Sequence, residues 1–244
     1  MLLVEIIILG FSRANNIKEI QTTIKDYGKN LKENETFLYF SKHFMDKKLA
    51  TPKIYFWSDD LMIYFQEDFG DVSLLNLLEG WGYTEETYQL YKESLTQLAK
   101  LQIEADAGLD YDRCLTNKEF GKQAIMADFL YFKYYFLDAL RKPYDKQNLL
   151  NDFEALSNYL SHTTYTYFMF RDFQSRNIMV EPDGSVHFID YQGGMKGAPQ
   201  YDVASLLWQA RANLPAIWKE RLLQDYMDAF ENILGEKINR TLFE

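Results

Sequence analysis

A chain of 244 residues is long enough for one sizeable domain or for two lobes that share a cleft. Its net charge of −10, with Lys and Arg in no long block, excludes nucleic acid or an anionic membrane surface as the main partner. The single cysteine, Cys114, excludes an intramolecular disulfide, and three scattered histidines (His43, His162, His187) give no zinc-ligand spacing, a usage that fits the cytoplasm.

The opening run MLLVEIIIL is too short to span a bilayer, contains Glu5 and lacks the basic start of a signal peptide. Leu2 to Leu9 is therefore read as a buried strand, followed by a turn from Gly10 to Asn16 and strands over Ile17 to Ile20 and Thr22 to Tyr27. Gly10, Ser12 and Arg13 could bring backbone N–H groups to phosphate oxygens, although a plain hairpin turn explains them equally well. Apolar residues at 37, 40 and 44 predict a helix over Lys32 to Phe44, with Glu33 one turn before Phe37 on the same face. Pro52 to Trp57 and Leu61 to Phe65 form a hairpin that runs into the acidic segment Gln66 to Asp71. A boundary between residues 1–69 and 70–244 is placed there.

From Val72 onward the pattern is helical. Ser73 to Leu78 is a short helix, and Thr84 caps a longer one with Tyr88, Tyr91, Leu95 and Leu98 on one face. A further helix is expected from Lys118 to Leu140, thick with Phe129, Tyr131, Phe132, Tyr134, Tyr135 and Phe136, and another from Gln147 to Ser161. Helices apolar over much of their circumference belong in a core, which is the preferred assignment for these rings, with the alternative that a few of them, with Asp128, face the cleft and stack on a sugar. Asp202 is expected to cap a helix over Val203 to Ala212, and residues 214–235 form the last one.

The densest chemistry lies between Tyr165 and Asp202. Asn177 to Val180 and Val186 to Ile189 flank a Glu-Pro-Asp-Gly-Ser turn, which predicts a β-hairpin. Antiparallel return brings Asn177 beside Asp190, with Asp172 on the loop that feeds the first strand. Two carboxylates and an amide thus converge on one edge, where their repulsion costs stability unless a cation binds. Hard oxygen ligands of this kind suit Mg²⁺, whose other ligands come from water and substrate phosphates. The spacing R-D-x-x-x-x-N, then a hairpin and an Asp, is the kinase catalytic-loop order, with Phe170 where that motif has His. Asp190 and Asp202 stand 12 positions apart, too few for the activation segment of a protein kinase.

The segments FRDFQSRNIM and FIDYQGGMKGAPQYDVASLLW resemble the aminoglycoside phosphotransferase and choline kinase superfamily. Within it the look is closest to bacterial kinases that phosphorylate the anomeric hydroxyl of N-acetylmuramate or N-acetylglucosamine. The resemblance implies an α+β, two-lobed, protein-kinase-like fold: a small antiparallel sheet with one helix over 1–69, and a larger, mainly helical lobe over 70–244 that carries the catalytic hairpin. It implies ATP and Mg²⁺ as cofactors and a small-molecule acceptor, an amino sugar of cell-wall recycling, in a monomer or weak dimer. Aminoglycoside or choline kinase activity is an alternative, and a pseudokinase without turnover is another. Asp172 is then the catalytic base and Asn177 and Asp190 the metal ligands, with Arg171, Gln174 and Asp202 supporting the loop. Lys25 and Glu33 form the lysine–glutamate pair, with Glu35 as the rival acid and solvated surface charge as the plain alternative. Ser12, Arg13 and the backbone of Gln66 and Asp68 complete the nucleotide contacts, and Gln192, Gly193 and Lys196 line the acceptor loop. The family carries more chain ahead of the Gly10 loop than this sequence does.

Overall fold

The computed structural model describes residues 22–26, 31–163 and 165–243. The expected strands at Leu2 to Leu9 and Ile17 to Ile20, and the turn holding Ser12 and Arg13, lie outside the described residues. Strands β1 (Thr22–Asp26), β2 (Ile54–Trp57) and β3 (Ile63–Glu67) form an antiparallel sheet in the order β1-β3-β2. The β2–β3 turn is closed by Ser58, whose N–H donates to the Ile63 carbonyl (2.8 Å). Helix α1 (Leu31–Asp46) buries Phe37, Phe40 and Phe44, the face its spacing predicts. Phe37 stacks between Tyr64 of β3 (ring centroids 4.8 Å) and Tyr191 (5.2 Å), so this helix ties the sheet to the central hairpin.

Helix α2 (Leu74–Trp81) starts at Ser73 in a capping box with Asn76, which satisfies N–H groups at both ends of the exchange. Helix α3 (Glu85–Asp106) is capped by Thr84, whose hydroxyl accepts from the Thr87 N–H. Its buried face, including Tyr88, Tyr91, Leu95 and Leu98, packs on helix α7 (Ala216–Leu234) through Trp218, Leu222, Tyr226 and Phe230. Gly235 ends α7 at φ 80°, a left-handed position that glycine adopts without strain.

Helix α4 (Lys122–Phe132) runs into a π-helical turn (Lys133–Asp138), and α5 (Lys146–Leu160) returns along it. Two expectations are corrected here. The helix starts at Lys122 and not at Lys118, because Lys118 to Phe120 give their backbone to a strand: the Lys196 N–H donates to the Lys118 carbonyl (2.9 Å) and the Phe120 N–H to that of Lys196 (2.7 Å). The rings at 131, 132, 134, 135 and 136 are not in the core but exposed, and the element packed most closely along this helix is α5.

Strand β4 (Tyr167–Met169) pairs with β7 (Met195–Gly197), and β5 (Ile178–Val180) with β6 (Val186–Phe188), both antiparallel. Gly194 and Gly197 are required for this close approach: a Cβ on Gly194 would lie 2.3 Å from the Phe168 ring, and one on Gly197 2.7 Å from the Met169 sulfur. Helix α6 (Gln200–Leu207) follows, and α8 (Arg240–Phe243) lies near the chain end. One cluster of buried apolar residues runs through α1, β3, α3, the short strands and α7. Among the described residues no helix is long and apolar enough to cross a membrane.

Candidate active site

The loop that leaves β4 is fixed first by aromatic packing. Phe170 is fully buried with its ring edge-on to Phe173 (centroids 5.3 Å), Phe188 and Tyr191, filling with apolar contact the place where the kinase motif carries a histidine. Arg171 follows at φ 84°, a left-handed conformation that costs a non-glycine residue of order 1 kcal/mol. What holds it there is Asp202. The Asp202 carboxylate accepts from the N–H groups of Phe170 (2.8 Å) and Arg171 (2.9 Å) and from the side-chain amide of Gln102 (2.9 Å). Its expected capping role is thereby corrected. Helix α6 starts three residues earlier, after Pro199, and Asp202 turns inward from its first turn with no exposure. Burial pushes its pKa up to about 6, against the pull of the two backbone donors and Gln102.

Asp172 comes next. Its backbone carbonyl accepts from the Gln174 N–H (2.8 Å) and from the side-chain amide of Asn177 (2.9 Å), while the Gln174 carbonyl accepts from the Asn177 N–H (2.8 Å). These bonds close the loop from 172 to 177 and place Asn177 on a 3-10 turn (Ser175–Asn177) just ahead of β5. The hairpin then returns as the sequence predicts: the Ile189 N–H donates to the Asn177 carbonyl (3.0 Å), and the Asn177 amide reaches Asp190 (3.4 Å). Asp190 also sits at positive φ (74°), and its other oxygen accepts from the Gln192 amide (2.8 Å). Among the described residues the Asp172 carboxylate takes no hydrogen bond. Burial raises its pKa above the ordinary carboxylate value and Asp190 adds to this, with Arg171 and Arg176 opposing.

The donor set fits magnesium. The amide nitrogen of Asn177 donates to the Asp172 carbonyl (2.9 Å) and reaches the Asp190 carboxylate (3.4 Å), so the amide oxygen takes part in neither contact and is the atom of that side chain left to meet a cation. One carboxylate and one amide oxygen are what Mg²⁺ takes from proteins when water and phosphate supply the rest. Among the described residues no group of three or more His, Cys, Asp or Glu could hold a metal.

The remaining predicted residues divide. Gln192 lies between Asp190 and Glu33, which its amide approaches at 3.5 Å, so the first turn of α1 does reach this edge. Lys25 pairs with Tyr64 in the β1–β3 register, but its side chain lies outside the described residues. Gln66 is buried in the central strand opposite Thr23 and Ile54, and Asp68 follows β3, its carboxylate accepting from the Gly70 N–H (2.9 Å). Lys196 is bound to Asp106 (3.1 Å) with its ammonium 5.3 Å from the centre of the Tyr111 ring. Gly193 faces the Arg171 side chain: a Cβ there would lie 3.8 Å from its Cγ.

Sequence reasoning missed two positioning residues, Gln102 and Gln209, and gave a third, Asp128, as facing the cleft without its contact to Arg171. Gln102 bridges Asp202 and the Tyr226 hydroxyl (2.5 Å). Asp128 binds the Arg171 guanidinium (2.7 Å), which also lies 4.9 Å from the Phe120 ring centre. Gln209 accepts from both the N–H and the hydroxyl of Ser175. Each acts across more than 30 residues, so no local spacing announces it.

Three solved structures share this arrangement of elements. Choline kinase LicA from Streptococcus pneumoniae superposes with TM-score 0.59 at 13% identity, covering 91% of this chain and 71% of that one. The ADP-bound aminoglycoside phosphotransferase APH(2'')-Ib gives 0.61 at 15%, covering 87% and 74%. Macrolide 2'-phosphotransferase MphH from Brachybacterium faecium gives 0.60 at 13%, covering 91% and 72%. At such identities the likeness is one of fold. No curated protein matches the chain. The family model described as the phosphotransferase enzyme family, however, matches residues 27–235. The chain belongs to the phosphotransferase enzyme family.

Proposed function

We propose that the protein is a kinase that moves the γ-phosphate of ATP, with Mg²⁺, to a hydroxyl of a small molecule. The observation that carries this reading is the single edge on which an unbonded Asp172 carboxylate, Asn177 and Asp190 meet. Asp172 aligns the acceptor hydroxyl and takes its proton, help typically worth about 10² to 10⁴ in rate. Asn177 and Asp190 hold Mg²⁺, which when bound neutralises charge on the phosphates. The sheet and α1, within 1–69, form the nucleotide lobe with Lys25 and Glu33 as its ion pair, and 70–244 form the acceptor lobe. Asp202 and Arg171 fix the backbone on which Asp172 stands. The protein works in the cytoplasm.

For the acceptor we favour an amino sugar phosphorylated at its anomeric hydroxyl, on the strength of the FRDFQSRNIM and FIDYQGG segments. The structural neighbours include choline, aminoglycoside and macrolide enzymes, so these acceptors belong in the same test. The test is ATP consumption with Mg²⁺ against N-acetylmuramate, N-acetylglucosamine, other hexoses, choline, an aminoglycoside and a macrolide, with Asp172→Ala as control. Turnover of one acceptor, lost in the variant, establishes the kinase. ATP binding without turnover on any acceptor favours a pseudokinase, the reading that Phe170 in place of histidine supports. Absence of ATP binding refutes both.

A further inference from the structure

The aromatic helix pair has a face with no use in the site described. Across α4, the π turn and α5, only Ala124, Ile125, Phe153 and Ser157 are buried, and the three apolar ones stand outside the main core cluster. Six rings, Tyr131, Phe132, Tyr134, Tyr135, Phe136 and Tyr159, are instead 44–78% exposed. They are ordered by their own contacts: Tyr131 stacks on Tyr135 (ring centroids 4.3 Å) and Phe132 on Phe136 (5.1 Å), while Lys133 lies 4.3 Å from the Tyr134 ring centre. A π turn in this place is a further departure of the kind that clusters at functional sites.

At about 200 Å² per aromatic side chain, the five rings from Tyr131 to Phe136 expose on the order of 600 Å² of ring surface. That reaches the top of the range for the largest apolar patch of a typical monomer, about 300–600 Å², and most of the roughly 800 Å² that each partner gives to a stable complex. Charge selects the occupant. The whole chain carries −10, so two copies repel, yet residues 122–160 hold five Lys or Arg and five Asp or Glu and are neutral. Several of these charges are already paired, Lys122 with Glu154 and Lys133 with Asp138. An anionic lipid surface would call for a basic excess, which this face lacks. A neutral, self-paired aromatic face on an acidic molecule is the place where a second copy approaches at least cost, and a two-fold axis lets one patch serve both partners. We propose that the protein forms a homodimer through the face of α4, the π turn and α5, with the tyrosine and phenylalanine ladders of two copies packed together.

Sedimentation velocity on the full chain, over about 1 to 100 μM, tests this. The wild type is expected to sediment at twice its 28.9 kDa mass in the upper part of the range. Tyr135→Lys and, separately, Tyr131→Lys are each expected to raise the dissociation constant at least about tenfold, with melting temperatures unchanged at concentrations where all are monomeric, because both side chains are exposed. A wild type that stays monomeric throughout overturns the proposal, as do dimers that both variants leave equally tight. A monomer that co-sediments with phosphatidylserine vesicles overturns it in favour of a lipid surface. A monomer in which Tyr135→Lys raises the KM of a phosphorylated acceptor overturns it in favour of acceptor binding.

Discussion

Asp202→Asn separates two forces that act on the same carboxylate. Asp202 has no exposure and takes its three partners from neutral N–H groups, those of Phe170, Arg171 and Gln102. Hydrogen bonding favours the ionised form and burial the neutral one, and burial wins, moving the pKa from 3.8 to about 6. Between those values the folded state keeps a proton that the unfolded chain has released. The resulting stability is fully present below about pH 4 and is lost as pH rises through about 6. Asparagine does not titrate, so the wild type should gain on the variant as pH falls. From about pH 7.5 to about pH 4.5 the gap should widen by about 2 kcal/mol. Near pH 7.5 the variant should already be weaker by about 1–3 kcal/mol, because its NH₂ group leaves one N–H of the loop unanswered. Urea unfolding followed by tryptophan fluorescence at several pH values measures the difference, in which other carboxylates cancel. A gap that stays constant or shrinks toward acid would refute the reasoning, since the hydrogen bonds would then be holding the carboxylate ionised.

Asp172→Asn should lower turnover by about 10² to 10⁴ while calorimetry shows nucleotide binding retained; a loss under about tenfold would remove the base role. Phe170→His, which restores the usual motif residue, should destabilise by about 1–3 kcal/mol, because the imidazole would enter a fully buried aromatic cluster. An unchanged melting temperature would show that the cluster is not what the position serves. Gly194→Ala should cost about 1–3 kcal/mol, since its Cβ would fall 2.3 Å from the Phe168 ring, and Gly193→Ala, with its nearest atom at 3.8 Å, should be near neutral. Equal melting points for these two variants would contradict the packing account.

The parts that were legible in the sequence are those that short-range chemistry dictates. Thr84 caps its helix because a side-chain oxygen reaches a donor three residues on, and nothing distant competes. Asn177 and Asp190 meet because an antiparallel return admits one register around the Glu-Pro-Asp-Gly-Ser turn. The cap reading of Asp202 failed by the same short-range rule, whereas the family resemblance gave its support of the loop. Aspartate before an apolar helical run looks like a cap, but Pro199 starts the helix three residues sooner and frees the carboxylate for partners at 102, 170 and 171. The rings from Tyr131 to Phe136 show the complementary failure. Composition says that such a surface prefers to be covered, and says nothing of whether this chain supplies the cover.

Those long-range contacts also decide how the site can be perturbed. The loop that bears Asp172 is held by Gln102 from α3, Asp128 from α4, and Asp202 from α6 with Gln209 just beyond it, and the strained φ of Arg171 is kept by two of them acting at once. Asp202 fixes the Arg171 backbone and Asp128 its guanidinium, and the left-handed residue needs both at once, so loss of either already releases it and leaves the second contact with less to hold. Their substitutions should therefore be non-additive. Asp128→Asn in an Asp202→Asn background should cost less in turnover than the same change in the wild type, because residues sharing one network couple by about 0.5–3 kcal/mol. Equal costs in the two backgrounds, measured as kcat ratios in a double-mutant cycle, would mean that Asp128 acts on the acceptor side independently of the loop.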